Sequence, residues 1–371
     1  MQRVSQLDGL RGLAITLVVM WHYVGCQLDG TTCTVSRYTV RALSLTWSGV
    51  DLFFVLSGFL ITSILLENRA SPLYFSTFYA RRACRIFPLY FMMLAVFAFI
   101  VSTPMASEAR FDWLLARPLP LWSYALFVQN IFMGARGDFG PHWIGMTWSL
   151  AVEEQFYLLI PAIIYFASKR SLPAILVVMV LAAPLARCLW PGFHAFVNTP
   201  WRADSLLSGS LLAVWLAQHD REMQKARSLP LASALLTILL AGVMVMTIRP
   251  AAFGQFTHLW LAAFFSALLF HLLIWQDSLL GKALASRVPV WLGQHSYGIY
   301  MFHEAVCGLL HGHLRNQSPT IRDAYDAGIT ASALAITLLL AALSFRYLER
   351  PALQWGQRFR YGAPPAAATS G

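Results

Sequence analysis

Ten long apolar segments constrain the fold of this chain more than any other feature of its sequence. A helix needs about 20 mainly apolar residues to cross the roughly 30 Å hydrocarbon core of a bilayer. Lipid offers the backbone no hydrogen-bonding partner, so segments of this length are expected to cross as helices. They cover residues 10–26, 48–66, 86–103, 147–167, 172–190, 203–219, 230–248, 259–276, 289–310 and 327–346. The sequence therefore predicts an all-α polytopic membrane protein, a bundle of about ten transmembrane helices.

Composition leaves little room for a separate soluble domain. Only 12% of the 371 residues are charged and 58% are hydrophobic, whereas soluble domains carry about 25% charged residues. We therefore predict one integral-membrane domain over residues 1–361, followed by a disordered tail over residues 362–371. Residues 119–133 are apolar but too short for a full crossing, and they are expected to form a re-entrant or interfacial segment.

The distribution of basic residues predicts the topology. With the amino terminus inside, 17 of the 27 Lys and Arg residues fall in cytoplasmic stretches. Cytoplasmic loops of membrane proteins carry an excess of such residues, so both termini are expected in the cytoplasm. The net charge of +10 then reflects the orientation of the chain in the membrane. No basic block is interleaved with aromatic residues, which argues against a nucleic-acid partner.

The first span holds an arginine and a histidine in one otherwise uncharged helix. Arg11 and His22 lie eleven residues apart in LDGLRGLAITLVVMWHY, which is roughly 16 Å along the axis and about 20° from a shared face. An ionisable group at this depth marks a pathway or a reaction site. The alternative is a headgroup anchor and a histidine satisfied by a neighbouring helix. Arginine suits a phosphate and histidine suits proton transfer, so a molecule with phosphates at one end and a reactive carbonyl at the other, such as an acyl-coenzyme A, fits this spacing.

The second span begins with GVDLFFVLSGFLIT, residues 49–62. Asp51 is expected near the outer surface. The Ser57-Gly58 pair permits close approach of the backbone by a neighbouring helix or by a ligand. The segment alone does not decide between these two interpretations.

Three arginines, Arg81, Arg82 and Arg85, lie in FYARRACRIFPLY. Arg81 and Arg85 share a helix face. The three are either positive-inside charges or a cytoplasmic phosphate clamp, because arginine pairs bidentately with phosphate. Their location on the same side of the membrane as Arg11 favours the clamp.

Two adjacent carboxylates, Glu153 and Glu154, open the apolar segment TWSLAVEEQFYLLIP. Adjacent residues of a helix point about 100° apart, so only one can face a given site. The positive end of the helix explains one of them. The other could orient an imidazole or accept a hydrogen bond from a sugar hydroxyl.

The segment HSYGIYMFHE places His303 three residues after Tyr300 on one helix face. Aromatic packing around a satisfied histidine and a role in substrate binding are both open. Trp143 and Trp148 would add aromatic surface suited to sugar rings. RYLERP closes the final helix, where Pro351 is a stop signal and a structural anchor is expected.

Motifs of several soluble enzyme classes are missing from the chain. We find no Walker A loop, GxGxxG, HExxH or GxSxG motif. The five cysteines show no metal-ligand spacing, so neither a metal nor a permanently bound cofactor is predicted. Cys26 and Cys33 are expected together at the outer end of the first helix, as a disulfide or as two free thiols.

Together these segments resemble the membrane-bound acyltransferase-3 family. The matching pieces are LDGLRGLAITLVVMWHY, GVDLFFVLSGFLIT, RRACRIFP, WSLAVEEQFYLLIP and SYGIYMFH, in the family's order from residue 6 to about residue 351. The resemblance implies a bacterial inner-membrane protein that moves an acyl group, commonly acetyl, from cytoplasmic acyl-CoA to a hydroxyl of an extracytoplasmic carbohydrate. Some members carry a further hydrolase-like domain, which this chain is expected to lack, so a second transfer step would need another protein.

The resemblance and the residues together give each candidate a role. His22 is the expected general base, oriented by Glu154 or Glu153, with a covalent acyl-imidazole relay as the second variant. The expected donor-binding residues are Arg11, Arg81, Arg82, Arg85, Ser57 and Gly58. The expected acceptor-binding residues are His303, Tyr300, Trp148 and Asp51.

The main alternative belongs to another class of protein. A transporter or flippase of a lipid-linked glycan would account equally well for Arg, His and Glu inside the membrane. Consumption of acyl-CoA by the purified protein would separate the two. The expected partners are acyl-CoA, a carbohydrate or glycoconjugate acceptor and membrane lipids, and a homodimer is left open.

Overall fold

The structure, a computed structural model, describes residues 5–28, 34–219, 231–249 and 251–362. Across these residues the regular structure is helical, and one isolated bridge joins Leu28 to Ile321. The predicted all-α class is therefore confirmed. Cys33 and the tail beyond residue 362 lie outside the described residues, and so do the predictions that concern them.

Ten helices of 16 residues or more make up most of the described chain. In chain order they are α1 (Ser5–Met20), α2 (Gly49–Glu67), α3 (Tyr74–Val101), α4 (Trp148–Phe166), α5 (Leu172–Leu189), α6 (Thr199–Gln218), α7 (Leu231–Ile248), α8 (Thr257–Ile274), α9 (Arg287–Arg315) and α10 (Ala324–Ser344). The shorter helices are Thr34–Leu43, Asp112–Leu115, Leu121–Ala125, Gln129–Arg136, His142–Gly145, His194–Val197, Leu279–Leu284 and Arg350–Gly356. Two π-helical turns, Trp21–Gly25 and Phe345–Glu349, directly follow α1 and α10.

Six of the described segments are long and apolar enough to cross a membrane. They are Ser36–Glu67, Tyr74–Val101, His142–Phe166, Leu172–Leu189, Gly254–Ile274 and Ala324–Gly356. The chain is thus a multi-pass membrane protein. The other predicted spans coincide with α1, α6, α7 and α9, of which α1, α6 and α9 carry ionisable side chains. The total of about ten crossings stays a prediction.

Helices α1 and α9 cross in direct backbone contact. A Cβ atom at Gly293 of α9 would lie 1.8 Å from the carbonyl oxygen of Asp8 in α1, a distance that only a glycine avoids. Beyond this crossing the π-helical turn Trp21–Gly25 lies against α9, where the Tyr23 hydroxyl donates to the His303 carbonyl oxygen at 2.8 Å. The crossing therefore brings the end of the first helix to the middle of α9.

Helices α2 and α6 make a second contact of this kind. A Cβ atom at Gly58 would lie 1.8 Å from the carbonyl oxygen of Leu206 in α6. The close approach that the Ser57-Gly58 pair permits is therefore made by a neighbouring helix. The sequence placed Gly58 among the donor-binding residues, and the structure corrects this placement, because the backbone of α6 occupies the space beside Gly58.

The predicted re-entrant segment folds as two short helices, Leu121–Ala125 and Gln129–Arg136. Phe127 lies between them with a φ of 55°. The Gln155 amide donates to the Phe127 carbonyl oxygen at 2.8 Å and to Asn130 Oδ1 at 2.9 Å. Neither helix is long enough to cross a bilayer, as the sequence predicted.

Candidate active site

A cavity of about 500 Å³ opens beside the π-helical turn that follows α1. The lining residues that carry an imidazole, a guanidinium or a carboxylate are His22, His142, Arg202 and Glu304. Half of the remaining lining residues are aromatic, among them Trp21, Trp47, Trp113, Trp148, Phe139 and Phe196. A mainly apolar wall with a few convergent polar groups is typical of a small-molecule site. We call this space the large cavity.

His22 lies on the π-helical turn Trp21–Gly25. Such turns are rare and occur frequently at functional sites. The Gln27 amide donates to the His22 carbonyl oxygen at 2.9 Å, and Thr330 of α10 donates to Gln27 Oε1 at 2.9 Å. A neighbouring helix therefore holds the turn that aims the imidazole.

Glu304 of α9 contacts the His22 ring directly. Glu304 Oε1 lies 2.6 Å from His22 Nδ1, and the carboxylate side chain is 5% exposed against 29% for the imidazole. A carboxylate at this distance accepts the Nδ1 proton, which leaves Nε2 of the neutral ring as a proton acceptor. Because the ring lines the large cavity, the pair can act as a general base toward a hydroxyl there.

The second carboxylate oxygen of Glu304 lies 3.5 Å from Nδ1 of His142. The His142 ring stacks on Trp113, with 4.0 Å between ring centroids and 11° between the planes. Contacts to both oxygens hold the carboxylate in one orientation. Glu304 is therefore shared by two histidines, of which His22 makes the closer contact.

His303 lies behind His22 and not in the cavity wall. Its side chain is fully buried, and its ring meets that of His22 edge to face at 5.0 Å between centroids. His303 Nδ1 donates to the Tyr300 carbonyl oxygen at 2.7 Å. This position supports the His22 ring, so the predicted contact of His303 with the acceptor is corrected.

A metal ion is a second kind of ligand that the side chains around His22 could bind. His22, His303 and Glu304 offer ligand atoms within 4.8 Å of one another, and two histidines with one glutamate form a known zinc ligand set. Two ligands of one zinc ion, each about 2.0–2.2 Å from it in tetrahedral geometry, lie more than roughly 3 Å apart. The 2.6 Å between His22 and Glu304 is instead the separation of a hydrogen-bonded pair.

A second cavity, of about 110 Å³, is lined by three arginines. The guanidinium groups of Arg11, Arg82 and Arg85 share its wall with one carboxylate, Glu153. Arg11 also contacts Asp8 at 3.5 Å. Positive charge thus exceeds negative charge in the wall, and arginine pairs well with phosphate. We call this space the arginine cavity.

Arg81 lies outside the arginine cavity and holds the C-terminal segment. Its Nε donates to the Phe359 carbonyl oxygen at 2.8 Å, and its guanidinium lies 5.3 Å from the ring centroid of Tyr361, within cation–π range. The prediction that Arg81 forms one clamp with Arg82 and Arg85 is thereby corrected, because only Arg82 and Arg85 of the three line the arginine cavity. Arg82 and Arg85 remain as candidates.

Neither Glu153 nor Glu154 contacts His22. Ser57 donates to Glu153 at 2.7 Å, and both residues line the arginine cavity. Glu154 lines neither cavity, and its Oε1 is buried without a hydrogen-bond partner among the described residues. The prediction that one of the two orients the imidazole is corrected, because Glu304 occupies that position.

Asp51 is fully buried and not interfacial. It pairs with Arg202 of α6 at 3.0 Å, accepts a hydrogen bond from Ser205 at 2.8 Å and lies 3.4 Å from His258 Nδ1. A buried charge needs such partners. Of these four residues only Arg202 lines the large cavity. The predicted position of Asp51 at an acceptor site is corrected, because Asp51 lies behind Arg202 and does not itself line the large cavity.

The predicted aromatic residues fall in three different places. Trp148 lines the large cavity, and its ring lies 5.5 Å from the Arg202 guanidinium. Tyr300 lines both cavities. Trp143 is buried in the hydrophobic core, so the prediction that it offers a surface to sugars is wrong. Three other tryptophans, Trp21, Trp47 and Trp113, line the large cavity instead.

Three residues of the large cavity, Glu304, His142 and Arg202, were not predicted from the sequence. Glu304 lies inside a predicted span, and an ionisable residue there is itself a functional signal. Arg202 immediately precedes the predicted span 203–219, where a charged residue is expected to lie in a loop. His142 belongs to a helix of four residues that no periodic pattern marks, so nothing in the sequence pointed to it.

The fold and the two cavities define a class of protein: a multi-pass helical membrane protein with a half-buried histidine paired to a buried glutamate, beside an arginine-lined cavity. Residues 4–346 match the acyltransferase-3 family, described as an acyltransferase domain. The chain belongs to this family, as its sequence motifs implied.

Two relatives show how far the similarity extends. The chain is 28% identical to the peptidoglycan O-acetyltransferase OatA of Listeria monocytogenes, over 94% of the chain and 55% of that protein. It is 25% identical to the O-acetyltransferase OatA of Staphylococcus aureus, over 93% of the chain and 56% of that protein. The chain thus spans about half the length of the curated relatives it matches. No solved structure matches the chain.

Proposed function

We propose that the chain is an O-acyltransferase that moves an acyl group from acyl-CoA to a hydroxyl of an extracytoplasmic carbohydrate or glycoconjugate. The observation that carries the proposal is the His22–Glu304 pair in the wall of one cavity, next to a cavity lined by three arginines. Transfer from acyl-CoA needs a base for the hydroxyl proton and cations for the phosphates of the donor. The names of the two relatives favour acetyl as the group transferred.

His22 is the proposed general base. Its Nε2 takes the proton of the acceptor hydroxyl while the hydroxyl oxygen attacks the carbonyl carbon of the thioester. The C–S bond of the tetrahedral intermediate then breaks, and the departing thiolate takes the proton back from His22. An ester and free CoA result, with no proton left over. Glu304 orients the ring and stabilises the imidazolium that exists between the two transfers.

The donor is proposed to bind with its phosphates at Arg11, Arg82 and Arg85. The helical rise separates Arg11 from His22 by roughly 16 Å, and the extended pantetheine arm can cover such a distance. Ser57 and Glu153 form the polar part of the same wall. The thioester would then be carried from the arginine cavity toward the large cavity.

The acceptor is proposed to occupy the large cavity. Sugar rings present flat apolar faces edged by hydroxyls, and the tryptophan-rich wall with His142 and Arg202 offers complementary groups. The first relative acts on peptidoglycan by its name. A carbohydrate of the cell envelope is therefore the acceptor class that we favour.

We further propose that the protein lies in a bacterial plasma membrane with about ten crossings and both termini in the cytoplasm. Both named relatives are bacterial, and the distribution of basic residues favours this orientation. The arginine cavity would then take its donor from the cytoplasm, and the large cavity would take its acceptor from outside.

Purified protein with labelled acetyl-CoA and a panel of envelope glycan fragments tests the proposal. We expect CoA release and an alkali-labile acetyl ester on a glycan. His22→Ala should abolish both while the protein still purifies as a folded membrane protein. A preparation that consumes no acetyl-CoA with any glycan, but moves a lipid-linked glycan across vesicles, would instead support the transporter class.

A further inference from the structure

The two cavities meet at only two of the residues that line them. Val50 of α2 and Tyr300 of α9 appear in both walls, and each of the other lining residues appears in only one of these two walls. Val50 offers only a short apolar side chain. Of these two shared residues, Tyr300 is therefore the larger and the polar one.

The Tyr300 hydroxyl is fixed across this boundary. It donates to the Met146 carbonyl oxygen at 2.8 Å and lies 2.7 Å from the Ser149 hydroxyl. Met146 lines the large cavity, and Ser149 lines the arginine cavity. The phenol thus bridges the walls of the two spaces, attached to the start of α4 and the turn before it.

The same residue is connected to the reacting pair through α9. The Tyr300 carbonyl oxygen accepts a hydrogen bond from His303, whose ring packs against His22. Glu304 follows one residue later. Tyr300 therefore lies one helical turn before Glu304 on α9, so a displacement of Tyr300 would reach the His22–Glu304 pair.

We infer that Tyr300 is a gate between a donor chamber and an acceptor chamber. The inference rests on the proposed function, because it assigns the arginine cavity to the donor. A thioester held at the arginines reaches His22 by passing between Tyr300 and Val50, which requires the phenol to leave Met146 and Ser149. With the gate closed, the thioester is kept from His22 and from the water that His22 could activate in the large cavity, so hydrolysis of acyl-CoA in the absence of an acceptor stays slow.

Two substitutions with opposite effects test the gate. Tyr300→Ala removes the barrier, and we expect acceptor-independent hydrolysis of acetyl-CoA to rise at least about tenfold. Tyr300→Trp fills the passage, and we expect transfer to fall at least about tenfold while the Kd for acetyl-CoA stays within twofold. Tyr300→Phe keeps the ring but loses the hydroxyl, and a rise in hydrolysis of roughly threefold to tenfold corresponds to the loss of one net hydrogen bond.

Tyr74→Phe is the matched control, because it also removes a buried hydroxyl that donates to a carbonyl, that of Pro161 at 3.1 Å, and Tyr74 lines neither cavity. It should leave the ratio of hydrolysis to transfer unchanged. A merely structural role of Tyr300 would lower hydrolysis and transfer together in all its variants, and that result would overturn the gate.

A labelling experiment tests the gate without any acyl transfer. Ser57→Cys, in a chain whose five native cysteines are replaced, puts a thiol in the arginine cavity. A variant that keeps only Cys26, a residue of the large cavity, shows from which side of sealed vesicles a membrane-impermeant maleimide reaches that cavity. The same maleimide is then added from that side to vesicles that contain the Ser57→Cys variant. Tyr300→Ala should speed labelling of residue 57 at least about tenfold. An unchanged rate would refute the gate even in a protein that consumes acetyl-CoA, and a faster rate would support it even if the acyltransferase proposal failed.

Discussion

At the scale of single residues, the contact between His22 and Glu304 offers the most direct test of the proposed chemistry. Glu304→Gln keeps the shape of the side chain but removes the charge that stabilises the imidazolium. We expect kcat for acetyl transfer to fall by about 10²-fold or more, the scale of a general base, with little change in KM for acetyl-CoA. Steady-state kinetics with labelled acetyl-CoA measure both constants.

Glu349→Gln is a suitable control for this substitution. Glu349 is also buried, but it accepts its hydrogen bond from Ser344 at 2.9 Å and lines neither cavity. It should keep a kcat close to that of the wild type. Equal losses in the two variants would show that removal of any buried carboxylate suffices, contrary to the role given to Glu304.

The arginines can be separated in the same way. Arg82→Ala and Arg85→Ala should each weaken CoA binding by about tenfold or more, since a hydrogen bond to a charged group contributes about 1.5–3 kcal/mol. Arg81→Ala should leave CoA affinity unchanged, because the Arg81 guanidinium donates to the Phe359 carbonyl oxygen and does not line the arginine cavity. Titration calorimetry with CoA measures all three. Weakening by Arg81→Ala equal to that of the others would contradict the assignment of the arginine cavity.

Single residues were predictable from the sequence only where one helix carries the whole pattern. Arg11 and His22 share one helix, so spacing alone placed them on one face. The pairing of His22 with Glu304 depends on where α9 crosses α1, which no local pattern encodes. Arg81 and Arg82 are adjacent in sequence, and only the docking of the C-terminal segment tells them apart.

At the scale of elements, the crossing of α1 and α9 determines the geometry of the site. Gly293→Ala would place a Cβ atom 1.8 Å from the Asp8 carbonyl oxygen and force the helices apart. Overpacking of this kind typically costs about 1–3 kcal/mol. We expect a lower Tm in detergent and a lower kcat per folded molecule, because His22 would move away from Glu304.

Gly328→Ala is the matched substitution in α10. A Cβ atom there meets nothing within 4 Å, and alanine favours a helix over glycine by about 0.5–1 kcal/mol. We expect an unchanged or slightly higher Tm and unchanged activity. A loss of stability equal to that of Gly293→Ala would mean that the backbone contact is not what holds the crossing.

Helices were predictable from long apolar runs, and contacts between them were not. Hydropathy placed the spans because the bilayer fixes their length. The short helix His142–Gly145 has no such length requirement, and it supplies the second partner of Glu304. Asp51 was expected near the outer surface because it lies at the start of the second predicted span. Its buried partner, Arg202, lies on α6, far along the chain, so no local pattern revealed the pair.

At the scale of the whole molecule, the proposed function requires two cavities that take their ligands from opposite sides of a membrane. The class of the fold and the family followed from the sequence, because composition and motif order are properties of the whole chain. The separation of the two cavities by Tyr300 did not, since it arises from three helices that meet only in the folded bundle.

Transfer across a sealed vesicle tests this central claim most directly. Protein is reconstituted in one orientation, with labelled acetyl-CoA on the side of the arginine cavity and an envelope glycan on the other. The account predicts labelled ester on the glycan with the wild-type protein, none with His22→Ala, and none when the two substrates exchange sides. Ester formation by His22→Ala at the wild-type rate, or transfer that is equally fast with the substrates exchanged, would contradict it.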